Sequence, residues 1–129
     1  MRYVYRCDNR KSLAGFYRRA RVGLVTPLRD GMNLVAAEFV AAQDPEDPGV
    51  LMLSRFAGAA EALHGAVIVN PYDVDNTAAA LNQALSMDIA ERRERHQRLM
   101  ASVRAHDIHH WRDGFLAALD GEQPARAVA

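Results

Sequence analysis

One cysteine, one lysine and one tryptophan are all that this chain of 129 residues holds of those three types. With Cys7 alone no internal disulfide can form, which excludes a disulfide-stapled secreted scaffold and suits a reducing compartment. An excess of one charge is also missing. Sixteen basic side chains balance sixteen acidic ones, so no net field draws the chain toward nucleic acid or an anionic membrane. No apolar run approaches the roughly 20 residues that a membrane-crossing helix needs. The opening Met1-Arg2-Tyr3-Val4-Tyr5-Arg6 has no long apolar core and no small-residue cleavage site, which speaks against a signal peptide. These absences together favour the cytoplasm. The scarcity of lysine beside abundant arginine and alanine reads as coding bias.

What is present suits one folded domain. Half of the residues are apolar and a quarter are charged, and the length supports one core but not two. Tyr3-Val4-Tyr5 predicts a short strand. Residues from about Asn9 to Arg19 predict a helix with Leu13, Phe16 and Tyr17 on one face. Val22-Gly23-Leu24-Val25, stopped by Thr26-Pro27, predicts a strand buried on both faces. A helix from about Gly31 to Ala42 follows, with Leu34, Val35, Phe39 and Ala42 at helical spacing. After the proline-containing loop Gln43–Gly49 come a strand at Val50–Ser54, a short helix near Ala59–Leu63 and a strand at Ala66–Asn70. This alternation predicts βαβ units: an α/β, Rossmann-like fold of about four parallel strands with flanking helices.

The remainder reads as helix. One spans about Asp75–Leu85, with Thr77, Leu81, Ala84 and Leu85 inward. The next is capped by Asp88 and carries Glu91 three residues on, a capping-box pattern, with Ile89, Leu99, Met100 and Val103 as its apolar stripe. The last runs from about Asp107 to Leu119 and offers Ile108, Trp111, Phe115 and Leu119 on one side. Residues 1–120 are expected to form one unit and residues 121–129 a frayed tail. A chain that opens in a strand and closes on an uncovered Trp111/Phe115 stripe suggests a piece of something larger.

The site-like stretch is Thr26-Pro27-Leu28-Arg29-Asp30-Gly31-Met32-Asn33-Leu34-Val35-Ala36-Ala37-Glu38. It leads from the carboxyl end of a strand into a helix N-terminus, where α/β proteins hold phosphorylated ligands. Asp30 stands where an N-cap would be. Gly31 permits a sharp turn and close approach to a ligand. The N–H groups of Met32, Asn33 and Leu34 would point out of the helix end toward an anion, aided by the helix dipole. Glu38, about two turns further and on a face shared with Leu34, could accept both hydroxyls of a ribose. The bland alternative is a plain cap with a solvated glutamate. His106, His109 and His110 read more simply as a polar helix start than as a metal site. Glu91/Arg95 and Glu94/Arg98 read as i,i+4 pairs on a solvated face.

Longer stretches carry more. Val22–Val35, Glu38-Phe39-Val40-Ala41-Ala42-Gln43, Leu53-Ser54-Arg55-Phe56-Ala57-Gly58-Ala59-Ala60, Val69-Asn70-Pro71-Tyr72-Asp73 and Asp107-Ile108-His109-His110-Trp111 resemble the C-terminal domain of trehalose-6-phosphate synthases. The resemblance covers nearly all but the tail. It implies part of the C-terminal domain of a retaining glycosyltransferase with two Rossmann-like domains. That family moves glucose from UDP-glucose to glucose 6-phosphate, with no metal and no cofactor. By the same match Asp30, the residue assigned a catalytic role, would bind hydroxyls of the donor glucose. The backbone from Gly31 through Met32, Asn33, Leu34 and Val35 to Ala36 and Ala37 would surround sugar and pyrophosphate, and Glu38 would hold the ribose. At Ala37 some members carry lysine. Arg6-Cys7-Asp8-Asn9, where the family contacts the base, matches less well. The implied partners are UDP-glucose, glucose 6-phosphate where an acceptor domain is supplied, and a possible second copy of the chain, with no nucleic acid and no membrane. The other reading is a non-catalytic nucleotide-binding or assembly remnant.

Overall fold

A computed structural model of the chain describes residues 9–121. The expected strand at Tyr3-Val4-Tyr5 and residues 122–129 of the tail lie outside the described residues. Within them the order is α1 (Arg10–Arg19), β1 (Val22–Val25), α2 (Leu34–Ala42), β2 (Val50–Ser54), β3 (Val67–Val69), α3 (Val74–Ser86), α4 (Ile89–Ala105) and α5 (Ile108–Leu119). The short helix expected near Ala59–Leu63 is a 3-10 turn at Gly58–Glu61. The strands form one parallel sheet in the order β1-β2-β3. Val22 pairs with Val50 and Val25 with Leu53, then Met52 pairs with Val67 and Ser54 with Val69. The α/β class with a parallel sheet is therefore as expected, with three strands among the described residues.

The continuous apolar run of β2 is buried at every position. A strand alternates its side chains between faces, so it feeds two cores. Leu51 and Leu53 pack with Ala36, Phe39 and Val40 of α2 and Leu99 of α4. Val50 and Met52 pack with Val69, and with Ala84 and Met87 at the end of α3. β1, expected to be buried on both faces, is not: Leu24 is 49% exposed. Among the described residues β1 has a strand neighbour on one side only, and the doubly buried place goes to β2.

The inward stripe of α2 also differs from the expected one. Ala36, Phe39, Val40 and Gln43 are buried, whereas Leu34 is 63% exposed and Val35 is exposed beside it. The reason is the later helix start at Leu34, which leaves those two side chains in the first turn at the mouth of the helix. Phe39 packs onto the backbone of β1, where a Cβ on Gly23 would come within 2.7 Å of its ring. Its burial contributes roughly 1.5–3 kcal/mol. On α3, Ala84 is buried and Leu85 faces out.

On α4, Asp88 caps through the Glu91 N–H at 2.9 Å. The Glu91 carboxylate turns to Arg95 at 2.8 Å, so only half of the capping box forms. Glu94 and Arg98 pair at 3.4 Å as expected. Leu99 is buried, Met100 and Val103 pack beside it, and Ile89 faces out. Arg92 and His96 are buried on the same helix. Arg92 reaches the loop before β2, and His96 Nε2 meets the Val40 carbonyl at 3.2 Å.

No helix among the described residues is long and apolar enough to cross a membrane.

Candidate functional site

The site is built where two loops leave the carboxyl ends of adjacent parallel strands. After β1, Thr26-Pro27 ends the ladder and the chain runs through Leu28–Met32 into α2. After β2, Arg55–Ala57 leads into the 3-10 turn. Backbone hydrogen bonds join the two loops. The Asp30 N–H donates to the Phe56 carbonyl at 3.1 Å, the Gly58 N–H to the Asp30 carbonyl at 3.0 Å, and the Ala59 N–H to the Met32 carbonyl at 2.9 Å. Asp30 and Ala57 thus form an isolated parallel bridge beyond the main ladder. Gly58 is needed there because a Cβ would lie 2.2 Å from the Gly31 carbonyl oxygen.

Asp30 was expected to cap α2, and Asn33 does so instead. Its Oδ1 accepts from the Ala36 N–H at 2.9 Å. Asn33 lies in the left-handed region, φ 72° and ψ 80°, which asparagine tolerates better than most residues. Its Nδ2 donates to Asp30 Oδ2 at 2.8 Å, and Asp30 Oδ1 accepts from the Met32 N–H at 3.1 Å. The Met32 N–H, followed by the Asn33 amide and backbone, holds the Asp30 carboxyl below its ordinary range. Asp30 is therefore an anchored, ionised group.

The helix opening shifts accordingly. The Met32 N–H, expected to face a ligand, is spent on Asp30, and Ala36's is spent on the cap. The N–H groups of Leu34 and Val35, in the first turn of α2, have no acceptor among the described residues. Asp30, Gly31, Met32 and Asn33 form one tight unit, and the exposed Leu34 and Val35 frame its mouth. Ala36 is buried in the core and Ala37 half-buried. Glu38 is exposed, one turn beyond Leu34 on the same side of the helix. The Tyr17 phenol on α1 is pushed above its ordinary value by burial and then by the Glu38 carboxylate.

Beside the loop opens a cavity of about 620 Å³, lined among others by Asn33, Leu34, Ala59, His106 and Trp111. The contribution of Phe56, Gly58 and Ala59 escaped residue-by-residue reading. Their signal was the compact Ala57-Gly58-Ala59-Ala60 run, suited to close backbone approach. His106 donates from Nδ1 to the Ser102 carbonyl at 2.9 Å and packs edge-on with His110. The described residues contain no group of three or more His, Cys, Asp or Glu arranged to hold a metal ion.

The sequence pattern of glycosyltransferase family 20 matches residues 1–121. The chain belongs to glycosyltransferase family 20. Within that family it is 59% identical over 116 residues to the trehalose-6-phosphate synthase of Sinorhizobium fredii, a match covering 90% of this chain and 25% of that protein. The Enterobacter synthase is 55% identical over 122 residues, covering 95% and 26%. Among solved structures, the UDP-forming α,α-trehalose-phosphate synthase from Burkholderia xenovorans in complex with glucose-6-phosphate superimposes with a TM-score of 0.88 at 56% identity, covering 92% of this chain and 26% of that one. A structure from E. coli bound with UDP-2-fluoro glucose gives a TM-score of 0.87 at 54% identity, covering 95% and 27%. The chain spans about a quarter of the length of the curated relatives it matches.

Proposed function

We propose that this chain supplies one wall of the donor site of a retaining glycosyltransferase that moves glucose from UDP-glucose to glucose 6-phosphate. The observation that carries the proposal is the open first turn of α2. Leu34 and Val35 present N–H groups beside a loop that three backbone hydrogen bonds hold rigid. Such a helix end attracts an anion without side-chain charge and stabilises a leaving diphosphate as its charge develops. Asp30, already ionised and anchored, takes donor-sugar hydroxyls. Gly31 and Met32 let the backbone approach the sugar, and Glu38 takes the ribose hydroxyls. Ala36 and Ala37 serve through the backbone and the helix they continue. Catalysis in this reading is positioning and charge stabilisation, with no protein nucleophile. A cytoplasmic setting belongs to this reading, a reducing compartment being the one that a lone cysteine suits.

Titration calorimetry of the purified 129 residues tests this. Weak UDP and UDP-glucose binding is expected, with affinity falling about tenfold in Glu38→Ala through loss of charge-assisted hydrogen bonds. Equal affinity with and without the Glu38 carboxylate would refute its ribose role. No trehalose 6-phosphate is expected from these residues alone, since the resemblance places acceptor binding in another domain.

The exposed α5 face supports a second proposal, self-association of the isolated chain. Trp111 and Phe115 stack with ring centroids 5.4 Å apart and are 52% and 50% exposed. Sedimentation should show dimers or larger species at high concentration and more monomer in Trp111→Glu. A single monomeric species at every concentration would count against it.

A further inference from the structure

At the opposite end of the sheet from the Asp30 loop lies a second, polar cavity of about 140 Å³. Its lining includes Arg18, Arg19, Arg21, Asp47, Gly49 and Arg92. Arg21 and Gly49 immediately precede β1 and β2, so the cavity sits at the amino ends of the strands. Four arginine residues thus line a space with one lining carboxylate.

The pairing leaves positive charge over. Arg18 is held by Asp44 at 2.8 Å. Arg21 and Arg92 share a single oxygen, Asp47 Oδ1, at 3.4 and 2.7 Å. Arg19 makes no side-chain hydrogen bond or ion pair among the described residues. Arg92 is only 5% exposed, and its Nη1 serves both Asp47 and the Pro48 carbonyl. Its buried Nε has no acceptor among the described residues. A buried cation with an unmet donor is costly, and an anion placed beside it relieves that cost.

We propose that this cavity binds a phosphate dianion, separately from the nucleotide-sugar site. Arginine forks match the oxygens of a tetrahedral phosphate, and convergent guanidinium groups are what phosphate recognition uses. The volume admits one such group and is below the roughly 300 Å³ at which pockets for drug-sized ligands begin. A whole nucleotide is therefore excluded. The same chemistry is offered by the free ion and by a phosphomonoester whose sugar remains in solvent.

The test uses the full 129-residue chain, labelled for amide NMR and titrated with inorganic phosphate and with glucose 6-phosphate against chloride at matched ionic strength. Saturable shifts at residues 18–21, 47–49 and 92 are expected, and the tighter of the two probes identifies the free ion or the monoester as ligand. Arg19→Gln/Arg21→Gln, both exposed positions, should weaken binding by about tenfold while the thermal midpoint holds. The Arg19→Lys/Arg21→Lys variant should restore part of it, and Glu38→Ala should leave it unchanged. The proposal is overturned if neither probe saturates, if shifts confine themselves to residues 31–35, or if the glutamine pair binds as the parent does.

Discussion

Asn33 carries three duties in the space of one side chain. It caps α2, clamps Asp30, and occupies a left-handed backbone conformation that most side chains avoid. Those duties separate by substitution. Asn33→Gly keeps the backbone at ease and loses both side-chain contacts, and glycine is a tolerable cap. Asn33→Ala loses the same contacts and adds strain at positive φ, for a cost of about 1–2 kcal/mol. Alanine should therefore melt below glycine here, the reverse of the ranking inside a helix and by more than cap preference alone gives. Denaturant unfolding of the two variants decides it, and an alanine variant at least as stable as the glycine one would rule out the strain. The residue identity was visible in the sequence, but its role was assigned to Asp30. Both are good caps, and only the backbone path shows which one opens the helix.

At the scale of elements, the site depends on how two loops are tied together rather than on either alone. The loop after β1 gains three backbone hydrogen bonds from the segment after β2, and Gly58 lets them approach. In Gly58→Ala the new methyl meets a backbone carbonyl, which cannot rotate away as a flexible side chain would. Overpacking of this kind costs about 1–3 kcal/mol. A lowered urea midpoint together with weakened UDP-glucose binding is expected, and an unchanged midpoint would show that the loops are not held in this way. Helix and strand locations were legible because β2 is a continuous apolar run and the helices keep their periodicity. The inward face of α2 was less so. Leu34 and Val35 are apolar enough for a core, yet the three-residue delay in helix start leaves them at the mouth of the site. Likewise Arg92 and His96 lie buried on α4, because a charged side chain is buried wherever the fold supplies partners.

For the whole molecule, acid should be the damaging direction. Asp30, Asp47, Asp73 and Asp107 all have carboxyl groups held below the ordinary value of about 3.9, chiefly by hydrogen bonds from Met32, Arg92, Asn76 and His110 respectively. A lowered folded-state value means the unfolded chain takes up protons first as pH falls. The stability these groups add is complete above about pH 4 to 5 and drains away as pH drops through their folded values. Asp47 and Asp107 are exposed and Asp30 and Asp73 only half-buried, so each share is small. The urea midpoint should stay level from pH 7 to about 5 and fall below about 4, less steeply in Asp30→Asn/Asp47→Asn. A midpoint that holds or rises down to pH 3 would contradict this. The sequence by itself determined the fold class and the family, and it marked the strand-to-helix segment proposed for the donor. Those rest on local facts: apolar period, strand-to-helix turns, and a long ordered string of residue types. Only the tertiary structure decided which residue caps α2, which N–H groups stay open, which loop pins the site, and that arginines from α1, the β1 approach and α4 meet at the far end of the sheet. Each of these depends on segments distant along the chain that meet only after folding, and no local pattern encodes such a meeting.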